Sequence, residues 1–525
     1  MSTIPQTLEP GPLGATPPDA LSRATSHPIG RWLTPSLSDL LFIAFFVWLF
    51  VAGGDGWRGL LLDGDTGWHI RTGEYILDHG SVPRVDLFSF TKPGAQWYAW
   101  EWLSDVALAL LHRAFGLKGV VFAAGVIIAA WPVLLLRQAL WRGAHPWLAL
   151  AVTLPGIGAA SIHFLARPHI LTLAFATISV WMIESDLAKP RWSVWLLVPL
   201  TVLWANTHGA FVVLILLLGL TAIGAVAEAW GGVRSWGAAV RYSVLTVACG
   251  SASILNPYGL RLHEHIAGYL RSDWIRNVVQ EFRAPDFRSE SQLQFEALLI
   301  IGVAVAAILA SRKRFVQALW ILVFGHLALT SLRHAPVYIA VVAPVLAQAG
   351  TELWRSAVSR SGPNSAAAIL DRIGLDSAHA YRRTSLWIPL FLAGYLLLAS
   401  AAVWPQDFPA LNFPTRMAQR YSDLISRSRV LTVDQWGDYL IYRFYPRQRV
   451  FADGRSDFYG PEIGGEYIRA VEGDYRWRDT LNRYAVEVVL APPTWALSTI
   501  LKSDGGWRVV ADDGSAVLFV RAARR

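Results

Sequence analysis

The amino-acid sequence predicts a polytopic α-helical membrane protein of about eleven spans, followed by a small α/β domain. Three observations predict this fold class. First, 54% of the 525 residues are hydrophobic and only 16% are charged, which is typical of membrane proteins and not of soluble multidomain enzymes. Second, apolar runs of spanning length recur between residues 37 and 404. Third, the chain after residue 405 changes to short β-branched and aromatic runs bounded by Gly, Pro and Asp.

The first 36 residues are rich in Pro, Ser and Thr, and they lack the apolar core and the small-residue cleavage site of a signal peptide. We therefore expect residues 1–36 to form a disordered cytoplasmic tail. The first span is then an uncleaved anchor.

A membrane span needs about 20 mostly apolar residues. On this basis residues 37–404 form the membrane domain, with a large outer loop at 55–118, and residues 405–525 form an extracytoplasmic α/β domain. The runs that meet or approach the required length predict spans at 37–54, 119–139, 147–165, 169–184, 192–205, 209–230, 239–256, 293–310, 315–331, 335–350 and 385–404.

Basic residues predict the orientation of these spans. With a cytoplasmic N-terminus, every short inner loop carries Lys or Arg, in keeping with the positive-inside rule. The segments 55–118, 257–292 and 405–525 then face outward, in a multi-pass protein of the cytoplasmic (inner) membrane. The net charge of +8 is spread in clusters between apolar runs, so it favours contacts with lipid headgroups and no nucleic-acid partner. The single cysteine, Cys249, excludes an internal disulfide.

Polar and ionisable side chains collect at the predicted outer ends of the spans. Because a charge is costly to bury in hydrocarbon, such residues usually serve a site or a pathway. Five segments far apart in sequence are therefore expected to line one cavity at the outer membrane face. In chain order they carry Asp63, Asp65, His69, Glu101 and Asp105; His163, Arg167 and His169; Asn206 and His208; His263 and Glu264; and Arg333 and His334.

Each of these residues alone also fits a structural role. A lone histidine such as His169 or His208 is often satisfied by a carbonyl group at a helix end, and a lone arginine such as Arg167 or Arg333 often reaches toward lipid phosphates. The functional interpretation depends on the clustering, because a random scatter would place comparable residues at the inner ends too.

The stretch DGDTGWHIRTGEYILDHG, residues 63–80, predicts a helix that lies at the membrane interface. Helical spacing places Asp65 and His69 on one face, and Trp68 and Tyr75 on an edge toward lipid. Asp65 also fits the N-cap of this helix, with Asp63 in the preceding turn. A capping role does not exclude a catalytic one, because a carboxylate at a helix start is held in place.

The run DGDTGWHIRTGEYILDHGSVP, followed by WYAWEWLSDVALALLHRAFG, resembles the first outer loop of the C-type membrane glycosyltransferases. This superfamily includes protein O-mannosyltransferases, lipid A aminoarabinose transferases and oligosaccharyltransferases. Matching Leu77, Gly80 and Pro83 to its pattern places Asp65 on the first acidic position, whereas Thr66 stands where these transferases commonly have a second acid. The resemblance leaves open whether Asp63 supplies the second carboxylate or none is needed.

The chain from residue 37 onward also resembles a largely uncharacterised bacterial group of this superfamily. The shared motifs are WANTHGAF at 204–211, NPYG at 256–259, RHAP at 333–336, and the run from WGDYL to DFYG within 436–460. They indicate kinship of fold, which does not by itself fix a reaction.

The resemblance implies transfer of a hexosyl or pentosyl group from a polyprenyl-phosphate-linked donor to a glycolipid, glycan or protein acceptor, with inversion at the anomeric carbon. Such a transfer needs a base for the acceptor's proton and a cationic group for the departing phosphate. Asp65 is the expected base and Asp63 the second catalytic carboxylate. The expected substrate-binding residues are His69, Glu101, His169, Asn206, His263 and Glu264, with Arg167, His208, Arg333 and His334 facing the phosphate.

Asp63 and Asp65 are also candidate ligands of a divalent cation such as Mg²⁺ or Mn²⁺, with His263 or Glu264 completing the site. Carboxylate oxygens are hard ligands that suit these ions. Nothing in the spacing requires the metal.

In the C-terminal domain, Asp453, Arg455 and Asp457 surround a predicted turn. We expect a strand and a tight turn with an internal ion pair there. Recognition of the acceptor is the alternative role.

Two other classes of function compete with the transferase. A transporter or flippase of a lipid-linked or small polar substrate would show mid-span charges and repeated, interrupted helices, which the sequence does not show clearly. A non-catalytic scaffold would not need acids, histidines and arginines on one side.

Overall fold

The computed structural model describes residues 32–52, 56–382, 385–399 and 403–522. Most of the predicted cytoplasmic tail, residues 1–31, lies outside the described residues. Its last residues are placed against a late helix, because Leu386 N donates to Trp32 O at 3.1 Å and Trp387 Nε1 donates to Leu33 O at 2.7 Å. Ser36 caps the first helix, accepting from Asp39 N at 3.0 Å.

The described chain is mainly helical as far as residue 398. Its α-helices there are α1 Leu37–Val47, α2 Trp57–Leu60, α3 Asp65–His79, α4 Trp102–Trp141, α5 Pro146–Ala159, α6 Ile170–Ala188, α7 Leu197–Thr207, α8 Val212–Trp230, α9 Trp236–Ala252, α10 Leu260–Arg271, α11 Asp273–Val278, α12 Glu290–Ser311, α13 Phe315–Thr330, α14 Ala335–Arg360, α15 Ala366–Arg382 and α16 Trp387–Leu398. Shorter 3₁₀ turns lie at Ser161–His163, Trp192–Leu196, Gly209–Phe211, Gln280–Phe282 and Leu332–His334.

Five helical segments are long and apolar enough to cross a membrane, and five shorter apolar helices accompany them among the described residues. Each of the eleven predicted runs overlaps one of the α-helices above, and ten of the runs overlap a helix of this apolar set, so the α-helical membrane architecture is confirmed. The number of crossings and their orientation stay predictions.

Helix α4 begins at Trp102, earlier than the predicted span at 119. Gly116 has φ of 64° inside it, a left-handed conformation that glycine adopts without strain. The kink separates a first part, which falls within the predicted outer loop, from a second part, which contains the predicted span. This kink follows Phe115, where the resemblance expects the outer helix to end.

The C-terminal domain confirms the predicted small sheet and corrects its extent. Strands β1 Val430–Thr432 and β2 Val488–Ala491 pair in parallel, and β4 Val517–Arg521 lies antiparallel between β2 and β3 Trp507–Asp512. The remaining α-helices are α17 Thr415–Arg420, α18 Ser422–Arg427, α19 Asp434–Phe444, α20 Ser456–Val471, α21 Trp477–Arg483 and α22 Ala496–Ser503.

The run at 434–444, which reads as part of a β-rich segment, is the helix α19. Its buried Trp436, Tyr439, Leu440 and Phe444 repeat at helical and not at alternating spacing. The helix is also buried on its other sides, where Gly437 and Asp438 lie, and it packs against α3.

The C-terminal domain packs directly on the first outer loop. Val450 N donates to Phe88 O at 2.9 Å, and Phe90 N donates to Val450 O at 3.1 Å. The buried Arg455 guanidinium reaches from the domain to Asp86 of the loop at 2.9 Å. These contacts hold residues of the two segments around the same cavity.

Candidate functional site

One cavity collects side chains from all five predicted outer segments and from the C-terminal domain. Its polar lining comes from the loop before α3, the end of the loop before α4, the loop before α6, the α7–α8 junction, the start of α14 and the turn before α20. These lining residues are Asp65, Glu101, His163, Arg167, His208, Arg333, His334, Arg455 and Asp457.

Asp65 is the first residue of α3 and is 6% exposed. It does not cap the helix with its side chain. Instead Asp63 Oδ1 accepts from the Asp65 backbone N–H at 2.9 Å. The turn at Asp63 thereby fixes the start of the helix and the direction of the Asp65 carboxylate.

Arg167 joins these two carboxylates. Its Nη1 atom is 2.5 Å from Asp63 Oδ2, and its Nη2 atom is 2.5 Å from Asp65 Oδ2. Asp63 and Asp65 therefore share the Arg167 guanidinium, although Asp63 does not line the cavity. Burial raises the pKa of Asp65 to about 7, and the charge of Arg167 acts against that rise.

Thr66, which stands at the position of the second acid, has a structural role. Its hydroxyl donates to Ala166 O at 3.1 Å, next to Arg167 in the chain. The side chain thus ties the acidic turn to the segment that carries its arginine.

Glu101 lines the cavity between two histidines. Its Oε1 atom is 3.3 Å from His208 Nε2, and its Oε2 atom is 3.4 Å from His69 Nε2. His69 is fully buried behind Glu101 and contacts Asp105 through Nδ1 at 2.6 Å. The structure therefore places His69 behind the wall and not in contact with a cavity ligand.

Arg333 supplies cationic charge on another wall. Its Nη1 donates to the Tyr269 hydroxyl at 3.3 Å, and its Nε is 3.7 Å from Glu281 Oε2. The guanidinium also lies over the Phe282 ring, with 5.2 Å to the ring centroid. His334 lines the cavity beside it and contacts Leu327 O through Nδ1 at 3.2 Å.

Besides His69, four other predicted substrate-binding residues lie outside the cavity wall. Asn206 receives the indole N–H of Trp102 at 2.7 Å, and His169 contacts the His163 carbonyl at 3.0 Å. His263 contacts Ser253 at 2.8 Å, and Glu264 is exposed on α10. On the helix that carries His263 and Glu264, α10, it is Ile266 and Tyr269 that line the cavity. The face of α10 that carries these two residues is turned toward it.

The C-terminal domain contributes residues that the sequence analysis did not select. Asp438 is fully buried on α19, and its Oδ2 and Asp65 Oδ1 have no hydrogen-bond partner among the described residues. Both oxygens lie close to the position that a Cβ atom at Gly454 would occupy, and that Cβ would collide with Asp65. Burial and the charge of Asp65 raise the pKa of Asp438 well above its usual value.

The turn at 453–457 contains the expected internal ion pair and also reaches the cavity. Arg455 makes the expected internal ion pair with Asp453, at 2.7 Å, while Asp457 lines the cavity and contacts His265 Nε2 at 3.0 Å. The expected strand is reduced to isolated bridges at Val450. Trp436-Gly-Asp-Tyr is the sequence signal that points to Asp438, since a buried acid in an aromatic helix face is uncommon.

The predicted metal site does not form from the expected residues. The Arg167 guanidinium forms ion pairs with both Asp63 and Asp65, and His263 and Glu264 lie away from these two carboxylates. Within the described ranges, no group of three or more His, Cys, Asp or Glu side chains is placed to hold a metal ion.

Aromatic rings form much of the remaining wall. Trp97, Tyr98 and Trp100 come from one short run before α4, and Trp68 and Tyr269 face the same space. Trp68 therefore faces the cavity, and the expectation that it faces lipid is wrong. Flat apolar rings beside acids and arginines suit a ligand that has both polar and apolar faces.

No family model and no curated protein matches this sequence. The fold, however, is similar to solved structures of the oligosaccharyltransferase AglB from Archaeoglobus fulgidus. The complex with an inhibitory peptide and a dolichol-phosphate gives a TM-score of 0.54 at 12% identity, over 92% of this chain and 74% of that chain. The complex with Zn and sulfate gives 0.53 at 12% identity, over 92% and 73%. The apo form gives 0.50 at 11% identity, over 87% and 69%.

Proposed function

We propose that this chain, which has the fold of the C-type membrane glycosyltransferases, transfers a sugar from a polyprenyl-phosphate-linked donor to an acceptor at the outer face of the cytoplasmic membrane. The observation that carries the proposal is the single cavity in which Asp65, Glu101, His208, Arg333 and residues of the C-terminal domain converge. The resemblance between folds alone would not support a reaction.

Asp65 is proposed as the base that takes the acceptor's proton. Asp63 and Arg167 hold its carboxylate at the start of α3, and its pKa, raised to about 7 by burial, suits a base that works near neutral pH. Attack from the side of Asp65 in a single displacement inverts the anomeric carbon.

Arg333 is proposed as the group that receives the departing phosphate. Its side chain lines the cavity, where Tyr269 and Glu281 hold the guanidinium. Negative charge grows on the phosphate oxygens as the bond to the sugar breaks, so a fixed cation stabilises the transition state more than the bound donor. Arg167 pairs with the carboxylates of Asp63 and Asp65. We therefore assign it to positioning Asp65 and not to binding the phosphate.

The C-terminal domain is proposed to bind the acceptor. Its Asp457, paired with His265, and its Gly454 lie on the cavity wall near Asp65. An acceptor hydroxyl or amine held there would lie beside the base.

The test replaces Asp65 by Asn in cells and compares their glycans and glycolipids with those of the wild type. Asn cannot take a proton, so we expect the product to fall by roughly 10²-fold or more. Asp78→Asn is the matched control, because Asp78 is an exposed acid of the same helix that pairs with Arg113. Unchanged glycans at normal Asp65→Asn protein levels would contradict the catalytic role.

A further inference from the structure

Helix α19 of the C-terminal domain places a fully buried acid, Asp438, beside Asp65. The helix packs against the start of α3 at two glycines. A Cβ atom at Gly64 would lie 2.8 Å from the Asp438 Cβ, and a Cβ atom at Gly67 would lie 2.7 Å from the Asp438 carbonyl oxygen. A larger residue at either position would therefore push α19 away from α3. The roles assigned above to the cavity residues do not use Asp438.

One hydrogen bond determines which oxygen of Asp438 is left for Asp65. The Gly454 N–H donates to Asp438 Oδ1 at 2.9 Å. Asp438 Oδ2 lies 2.9 Å from the point that a Cβ atom at Gly454 would occupy, and Asp65 Oδ1 lies closer still to the same point. Both oxygens are buried without a hydrogen-bond partner among the described residues, and the nearby indole N–H of Trp68 does not donate to Asp65 Oδ1. Two oxygens without partners therefore share one small space.

Two ionised carboxylates would be poorly stabilised in this space. An ionised carboxylate only accepts hydrogen bonds, so a pair of them would leave both of these oxygens unpaired and would bring two negative charges together. Burying unpaired polar atoms costs free energy. A single hydrogen on one of the two acids converts the contact into a hydrogen bond between Asp438 Oδ2 and Asp65 Oδ1.

The cations around the pair decide which acid carries this hydrogen. Arg167 Nη2 contacts Asp65 Oδ2 at 2.5 Å, and Asp65 begins α3, so a charged hydrogen bond and the helix dipole both stabilise its ionised form. Asp438 has no ion-pair partner in the part of the chain that the structure describes, and its hydrogen-bond donor is the neutral N–H of Gly454. The negative charge therefore belongs on Asp65 and the hydrogen on Asp438.

The other charges near Asp438 act in the same direction. Arg455, which follows Gly454, already pairs with two other carboxylates, at 2.7 and 2.9 Å. The ionisable groups that act most strongly on Asp438 are acids, and a phenol faces it from α20; these groups are Asp65, Asp453, Asp434 and Tyr467. Burial, and after it the charge of Asp65, raises the pKa of Asp438 well above its usual value.

We propose that Asp438 is a neutral acid that donates a hydrogen bond from Oδ2 to Oδ1 of the Asp65 carboxylate, and that it is thereby a positioning residue for the base. The inference rests on the proposed function for the role of Asp65. Arg167 holds one oxygen of the Asp65 carboxylate and Asp438 holds the other, so the plane of the carboxylate is fixed. Each oxygen of a carboxylate has two lone pairs, so Asp65 can still take the acceptor's proton, while Asp438 keeps its own.

This hydrogen bond makes the base depend on the C-terminal domain. Asp438 belongs to the domain that is proposed to bind the acceptor, whereas Asp65 belongs to the first outer loop. Displacement of α19 from α3 would leave Asp65 Oδ1 without its donor and the carboxylate oriented by Arg167 alone. The base is therefore complete only while the C-terminal domain is packed on α3.

The first test compares two neutral replacements of Asp438 in cells. Asn reproduces the neutral acid, because its carbonyl can accept from the Gly454 N–H and its amide can donate to Asp65 Oδ1. Ala can do neither. We expect Asp438→Asn to keep the glycan product within about threefold of the wild type and Asp438→Ala to lower it by roughly 10²-fold, the order of effect of a misplaced catalytic group.

Two outcomes of this comparison, at normal protein levels, would overturn the proposal. A loss in Asp438→Asn as large as that in Asp438→Ala would show that the ionised carboxylate of Asp438 is needed, as a base or as a metal ligand. Full activity of Asp438→Ala would show that Asp65 needs no donor from α19. Asp78→Asn, at the exposed acid of α3, is the control and is expected to behave as the wild type.

The second test detects the proton of Asp438 and uses no substrate. The purified full-length protein, with ¹³C-labelled aspartate, is placed in lipid nanodiscs at about pH 8, where Asp65, with a pKa of about 7, is mainly ionised. We expect an infrared C=O stretching band of a protonated aspartate that disappears in Asp438→Asn and stays in Asp78→Asn. The absence of a band that Asp438→Asn removes would overturn the proposal.

If Asp438→Ala does not fold, the infrared band and the activity of Asp438→Asn still decide the matter. Because the infrared experiment contains no substrate, its result is independent of the cellular test of Asp65. An Asp438 band together with unaffected glycans in Asp65→Asn would reject the proposed function and not the protonation state of Asp438. A missing band together with lost glycans in Asp65→Asn would reject only the role of Asp438.

Discussion

Arg167 holds two carboxylates with the two ends of one guanidinium. Asp63 and Asp65 bind different Nη atoms, both at 2.5 Å, and the Thr66 hydroxyl anchors the neighbouring backbone. A planar fork matches this arrangement, whereas an ammonium group is a single point of charge. The residue type at 167 therefore determines where the Asp65 carboxylate points.

We predict that Arg167→Lys lowers sugar transfer by roughly 10²-fold, because misplacement of a catalytic group by a small distance has an effect of that order. The positive charge is kept, so loss of charge cannot explain the result. The measurement is the glycan profile together with the amount of folded protein. Arg113→Lys, at an exposed pair with Asp78, is the control, and equal activity of the two variants would contradict the prediction.

The pKa of Asp65 makes a second prediction at this scale. Burial raises it to about 7, so the carboxylate that can take a proton becomes the main form only above pH 7. Transfer rates in proteoliposomes are expected to rise as the pH rises through about 7. Asp65→Asn should be slow at every pH and lack this rise. A rise that survives in Asp65→Asn would assign it to another group.

Helices α3 and α4 approach each other closely at one glycine. A Cβ atom at Gly73 would overlap the Asp105 carbonyl oxygen and press on Ala109, so only hydrogen fits between the two backbones. This contact also sets the distance between His69 on α3 and Asp105 on α4. The packing of two elements thus determines the geometry of a pair of site residues.

Gly73→Ala is expected to destabilise the protein by about 1–3 kcal/mol, because a methyl group added to a filled interface forces the backbones apart. The measurement is the thermal unfolding midpoint in detergent. Gly268→Ala on α10 is the control, since a Cβ there meets nothing within 4 Å. Equal unfolding midpoints for the two variants would contradict the prediction, because the interface would then accept the added methyl group without loss of stability.

Across the whole molecule, the cavity requires that the outer loop, the segment 257–292 and the C-terminal domain lie on one side of the membrane. Glu101, Tyr269 and Asp457 come from these three parts and line the same space. Reporter fusions after residues 145, 290 and 420 test this arrangement. We predict that the first is cytoplasmic and that the other two are outside, and a cytoplasmic reporter at 420 would contradict the orientation.

Part of the site could be predicted because outer helix ends are visible in the sequence. Asp65, Glu101, Arg167, His208 and Arg333 all follow or precede long apolar runs, and the four segments that carry them meet at one cavity. For the polar residues near them in the chain, the sequence does not separate those that line the cavity from those that do not. Whether His263 or Tyr269 reaches the cavity depends on the rotation of α10 about its axis, which is set by packing against other elements.

The sequence by itself determined the α-helical membrane architecture, the small C-terminal sheet and the acidic turn before α3. These properties depend on composition and on short-range periodicity, which act within one segment. Only the tertiary structure decided that Arg167 joins Asp63 to Asp65, that Asp438 and Asp457 belong to the site, and that Glu101 lies between two histidines. The physical reason is that these contacts join residues far apart in the chain, whose approach depends on how whole elements pack.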